Sequence, residues 1–118
     1  MASASEHLSQ GQHNERLAAM LLAANPIGYP DWAVTVSFYA ALHYVNHYFK
    51  RVKSKIPSNH AIRSSWLKAD SKLSSIQFEY ETLRSVCDQG RYYCNRATPS
   101  KAQKLFSQDL QSIKVASL

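Results

Sequence analysis

From Asp31 to Phe49 the chain reads DWAVTVSFYAALHYVNHYF, a stretch apolar on most of its length and uninterrupted by proline or glycine. Phe38, Ala41, Leu42, Val45, Tyr48 and Phe49 recur at helical spacing and form one stripe. Trp32, Val36, Tyr39 and Tyr44 cover much of the remaining surface, and a helix apolar on most sides belongs in the middle of a bundle. Asp31 follows Pro30 and is placed to cap the first free amides. Val34, Thr35 and Val36 are weak helix formers, so packing must decide their state. The run approaches the length of a membrane span. Ser37, His43, Asn46 and His47 inside it argue instead for a buried helix of a soluble bundle, with no membrane partner.

The flanking segments read as packing partners of that helix. Residues 1–13 are polar and expected to be mobile, with the domain proper at 14–118. Asn14 is placed to cap a first helix, ERLAAMLLAA, with Leu17, Met20, Leu21 and Ala24 inward; an earlier start near Ser5 would make Gly11 its weak point. Asn25-Pro26 ends it. After Pro57, Ser58 or Asn59 caps a third helix over about His60 to Ala69, with Ile62, Trp66 and Ala69 inward. A fourth runs from about Ser74 to Tyr93 with Ile76, Tyr80, Leu83, Cys87 and Cys94 on one face. Gly90 either stops that helix or lets a neighbour approach closely. Pro99 or Ser100 opens a last helix to about Lys114. The expected fold is all-α, an up-and-down bundle of four main helices plus one shorter helix.

Length and composition fit one domain. The 118 residues can bury roughly two-thirds of their unfolded surface. Two cysteines seven positions apart on one helix lie about 10 Å apart, beyond disulfide reach. Cys87 and Cys94 therefore read as small buried side chains in a reducing, cytoplasmic setting. The polar start MASASEHLSQGQHNERL offers no secretory signal. Fourteen Lys and Arg against eight Asp and Glu give a formal charge of +6, which favours an anionic partner, nucleic acid first.

Candidate chemistry is sparse. Lys50, Arg51, Lys53 and Lys55 put four cations in six positions after the central run, more than a helix dipole needs. His43 and His47 share a face, a spacing that can hold a metal, but no third ligand accompanies them and no metal or cofactor is implied. His43 reads as inward and hydrogen-bonded. His60 and Arg63 form H-x-x-R at a helix start, where the amides and the guanidinium favour neutral imidazole and Arg63 can hold a phosphate. Otherwise Arg63 pairs with Glu79 or Glu81. Arg84 and Asp88 can pair along a polar stripe. Arg91 beside Tyr92 and Tyr93 suits a phosphate-and-base contact.

The central run, then NHAIRSSW, then YETLRSVCDQGRYYC, resembles the HEPN-like (higher eukaryotes and prokaryotes nucleotide-binding) helical domains over roughly residues 15 to 115. FYAALHYV, Tyr80 with Leu83, and Arg91-Tyr92 carry the resemblance. It implies a four- to five-helix bundle, often a homodimer, and either a metal-independent ribonuclease in toxin–antitoxin or phage-defence systems or a non-catalytic binder of RNA, nucleotide or protein. Active members carry Arg, then His four to six residues on. Here no His follows His60, and the nearest spacing, Lys55 to His60, has Lys in place of Arg. Three functions follow as expectations. The first is a catalytically degenerate domain binding RNA or a nucleotide through His43, Lys50, Arg51, Lys53, Arg91 and Tyr92. The second is a ribonuclease using His60 and Arg63. The third is a protein-interaction module with an apolar patch around Tyr44, Tyr48 and Tyr92.

Overall fold

In the computed structural model, which describes residues 2–118, the central helix α2 spans Pro30–Lys53. Pro30 holds the first helical position and Asp31 the first turn, so Tyr29, not Asp31, is the cap residue. The helix runs on past Phe49 and closes at Ser54, which adopts a left-handed φ of 61° and returns its N–H to the Lys50 carbonyl.

Helix α1 spans Ala4–Ala23 and starts ten residues before the Asn14 cap expected from sequence. Ser3 and Glu6 form a reciprocal capping box: the Glu6 amide donates to Ser3 Oγ at 3.1 Å and the Ser3 amide to Glu6 Oε1 at 2.9 Å. Residues 4–13 are thus the first half of a packed helix rather than a mobile segment. The inner face also differs. His7, Gly11, Ala18 and Leu22 are buried, whereas Leu17 and Met20 are exposed. Small residues on this face let α1 come close to α2: a Cβ on Gly11 would sit 2.9 Å from Tyr44 Cε1 and 3.3 Å from the Ala40 carbonyl.

Helix α3 (His60–Ala69) is capped by Asn59, which accepts from the Ile62 amide at 2.9 Å. It buries Arg63 and Leu67 and leaves Ile62 and Ala69 outward, one step round from the expected face. A 3₁₀ turn, Leu73–Ile76, leads into α4 (Gln77–Tyr92), which buries Tyr80, Leu83 and Cys87. Cys94 lies beyond the end of α4 and is exposed with φ 56°, so it does not share the buried face of Cys87. Gly90 stays within the helix. Helix α5 covers residues 99–117 as three continuous pieces: an α-turn Pro99–Lys104, a π-turn Leu105–Leu110 and a last α-segment Gln111–Ser117. The π-turn accommodates two buried leucines five positions apart, and the Gln111 side chain donates to the Phe106 carbonyl at 3.2 Å.

Helix α2 packs against α1, α4 and α5. Ala4 beside His47 and Gly11 beside Ala40 set α1 antiparallel to α2. Tyr80 against Phe38 and Gly90 against Asp31 do the same for α4, while Arg51 reaching Ser117 sets α5 parallel. The result is the expected all-α up-and-down bundle of four main helices and the shorter α3. Among the described residues there is no strand, and no helix is long and apolar enough to cross a membrane.

One buried polar knot ties three helices together. Tyr44, fully buried on α2, donates to Glu15 Oε1 at 2.5 Å; Gln111 donates to Glu15 Oε2 at 3.1 Å, and Lys114 pairs with Oε1 at 3.1 Å. Burial pushes the Glu15 carboxyl up, but the three donors outweigh it and hold it below its ordinary 4.5. A depressed carboxyl contributes stability that is present above its ordinary range and is lost as pH falls through the lowered value. The Glu15→Gln variant should therefore lose less stability than the parent between about pH 6 and about pH 3, read by urea denaturation at each pH. Equal losses would show that Glu15 carries no part of the acid sensitivity.

Candidate nucleic-acid interface

The C-terminal end of α2 gathers cations around two aromatic rings. Lys53 Nζ lies 5.7 Å and Lys55 Nζ 5.8 Å from the Trp66 ring centre. Arg51 and Lys72 sit over Tyr48 at 5.8 and 5.7 Å. Phe49 joins the two rings edge-on, 5.4 Å from Tyr48 and 5.3 Å from Trp66. Lys50 Nζ donates to the Ser54 carbonyl at 3.2 Å. Arg51 also donates to the Ser117 carbonyl at 3.3 Å. Among the described residues, ion pairs within 4.0 Å are confined to Arg84–Asp88 and Lys114–Glu15, so none of these five cations has a side-chain carboxylate. Asp70 lies nearby but is occupied: it accepts from Tyr48 Oη and from the Lys72 and Leu73 amides, the last two at 2.8 Å. The predicted Lys50, Arg51 and Lys53 thus belong to one pad that no side-chain carboxylate pairs with, Arg51 also donating to the Leu118 oxygen at 3.4 Å. Sequence reasoning did not assign Lys72 or Trp66 to it, because α3 and its link bring them there from elsewhere in the chain.

The predicted His60/Arg63 pair occupies the interior next to this pad. Arg63 is only 6% exposed, and each of its three nitrogens faces a neutral acceptor: Nε to Asn46 Oδ1 at 3.2 Å, Nη2 to the Pro57 carbonyl at 3.2 Å, and Nη1 to His60 Nδ1 at 3.5 Å. It pairs with neither Glu79 nor Glu81; Glu81 accepts from Ser64 Oγ at 2.6 Å. Burial first, then Arg84 and Arg63, lower the His60 pKa below the ordinary histidine value. His60 is therefore a neutral, half-buried imidazole, and Arg63 is a cross-brace between α2, the Pro57 turn and α3 rather than a guanidinium open to a phosphate.

His43 points into the α1–α2 seam, where its Nδ1 lies 3.0 Å from Nδ1 of the buried His7 and the rings stack at 5.3 Å. Burial lowers both pKa values; for His43, His7 and Arg63 add to it. One imidazole donates and the other accepts, an arrangement that requires at least one of them to be neutral. His47 Nδ1 meets the Ala4 carbonyl at 2.9 Å. Among the described residues no group of three or more His, Cys, Asp or Glu is placed to hold a metal ion.

Arg91 stands apart from the pad. It is exposed, donates to Tyr39 Oη at 2.5 Å, and lies over the Tyr39 and Tyr92 rings at 5.6 and 5.0 Å. From Tyr39 to Lys53 is about 21 Å of helix rise, so Arg91 and Tyr92 lie apart from Lys50, Arg51 and Lys53. His43, predicted with them, is turned into the α1–α2 seam against His7 and is not open to a ligand. The apolar patch expected around Tyr44, Tyr48 and Tyr92 does not form: Tyr44 and Tyr48 are buried, and Tyr92 alone is exposed.

No family model, curated protein or solved structure matches this chain.

Proposed function

We propose that this chain is a catalytically degenerate HEPN-like domain that binds single-stranded RNA. The observation that supports it most is the pad at the end of α2: two aromatic rings, each under two cations, with no side-chain carboxylate to neutralise them. Phosphates attract such cations because binding releases condensed counterions, and Trp66, half-buried beside Lys53 and Lys55, offers a base a partial face, whereas Tyr48 is buried. Arg91 between Tyr39 and Tyr92 offers a second phosphate-and-base contact further along α2. The resemblance of the central run and of the Arg91-Tyr92 segment to HEPN-like domains points the same way, as does the +6 charge. A ribonuclease centre at His60 and Arg63 gains no support, because Arg63 is enclosed by its own acceptors.

Fluorescence anisotropy with a labelled single-stranded RNA tests this. Binding is expected to weaken as salt rises, with a log–log slope of about −0.7 per phosphate contacted. Changing Lys50, Lys53 and Lys55 together to Gln should reduce affinity by about tenfold or more and flatten the slope by about 2. No binding at about 50 mM salt, where phosphate contacts are strongest, would remove the proposal.

A further inference from the structure

We infer that the cleft at the N-terminal end of α2 is a base-reading subsite that takes a guanine, with the Asp31 carboxylate accepting from its Watson–Crick edge. This rests on the RNA-binding function proposed above and gives it a specificity.

Two adjoining hollows share Asp31 and Trp32 as wall. The larger, about 410 Å³, is also lined by Tyr29 and Arg96; the smaller, about 150 Å³, is closed by Thr35 and Arg91. Together they fall in the size range of small-ligand sites. Tyr29 and Trp32 are 63% and 54% exposed, and neither stacks on another ring among the described residues, so each offers a free face. Arg96 has no ion-pair partner. Asp31 has none either, although two arginines line the same hollows; only its backbone carbonyl is used, by Thr35 Oγ1 at 3.1 Å. A carboxylate, two arginines and two aromatic rings thus border one cleft without pairing with one another, Arg91 being held from outside it by Tyr39 and Tyr92.

A guanosine phosphate satisfies all of them. Its ring stacks on an exposed aromatic face, as single-stranded bases do on protein. Its N1–H and 2-amino group lie side by side and match the two oxygens of one carboxylate. Adenine and cytosine offer a single amino group on that edge beside a ring acceptor. Uracil offers one N–H between two carbonyls that repel Asp31. The phosphate falls to Arg91 and Arg96, which a planar guanidinium fork suits. About 33 Å of helix rise separates Asp31 from Lys53, so a strand of several nucleotides is needed to reach from the cleft to the pad. A free guanosine 5′-phosphate presents the same edge, and the experiment separates the two sources.

The test compares a labelled uridine hexamer with versions carrying one guanosine or one adenosine, by anisotropy on the full chain, and adds guanosine 5′-monophosphate alone, followed by Trp32-sensitive fluorescence. The guanosine hexamer is expected to bind about tenfold tighter than the adenosine one, the size of a charge-assisted hydrogen-bond pair. Asp31→Asn should erase that preference, so that the guanosine and adenosine hexamers bind alike. Arg96→Gln should weaken the guanosine hexamer while keeping guanine over adenine, which separates base reading from phosphate binding and guards against misfolding of the first variant. Equal affinity for guanosine and adenosine in the parent protein, or a preference that survives Asp31→Asn, overturns the subsite while leaving general RNA binding intact. If no hexamer binds but the monophosphate does and Asp31→Asn abolishes it, the cleft stands as a free-nucleotide site and RNA binding falls. If neither binds, both fall.

Discussion

Replacing Arg63 by Met should lower the free energy of unfolding by about 3 kcal/mol. Arg63 is 6% exposed and braces three segments, through Asn46 of α2, the Pro57 carbonyl and His60 of α3. Methionine fills the stem volume but leaves the Asn46 oxygen and the Pro57 carbonyl buried without a donor, at about 1–3 kcal/mol each. Removing the charge recovers some desolvation, which keeps the loss below the sum of those two penalties. Lysine should not rescue the variant, because one ammonium nitrogen cannot reach acceptors arranged for a fork. Urea denaturation with an unchanged slope measures the loss. A change under about 1 kcal/mol would mean that the enclosed guanidinium is dispensable.

Adding one methyl group at Gly11 and at Gly90 should act in opposite directions. At Gly11 the new carbon would meet Tyr44 at 2.9 and 3.0 Å and the Ala40 carbonyl at 3.3 Å. Tyr44 cannot turn aside cheaply, being fully buried and tied to Glu15. Forced expansion of a packed seam costs about 1–3 kcal/mol, more than the helix gains from alanine. At Gly90 the nearest atom would be Asp31 Cβ at 3.6 Å, ordinary contact, and the backbone is helical. There the alanine should be neutral or stabilise by up to about 1 kcal/mol. Thermal melts of the two variants check the contrast. No loss at Gly11 would mean that α1 does not pack against Tyr44 as closely as described, and a loss at Gly90 would mean that α4 has no room there.

Much of the architecture was legible because its cause is periodicity. The α2 stripe from Phe38 to Phe49, the Asn59 cap and the break before Pro99 all follow from local rules, and the structure has them. The α1 face was misread for a physical reason. Reasoning from side-chain bulk turned Leu17 and Met20 inward, whereas the close approach to α2 selects Gly11 and Ala18 and leaves those two outside, while Leu21, also expected inward, does pack against the core. The start of α1 did carry a local signal, Ser3 three residues before Glu6, that an all-polar segment hid. On α3, Arg63 faces inward because Asn46 and Pro57 supply acceptors there, and single-sequence patterning assigns a charge to solvent by default. The candidate site was only half legible. Lys50, Arg51 and Lys53 are contiguous and easily seen, while Lys72, Trp66 and Arg96 join their sites through tertiary folding alone.

The π-turn of α5 sets a phase. One residue more than an α-turn is inserted between Leu105 and Leu110, so everything downstream is rotated by about 100° relative to an unbroken helix. That offset is what points Ile113 and Ser117 at α2 and brings Lys114 to Glu15. Were Leu105–Leu110 to wind as an unbroken α-helix with no residue removed, the last two turns would swing sideways and unfasten α1 from a position nearly a hundred residues away in the chain, whereas deleting one residue there would let the helix wind uniformly with those turns left in place.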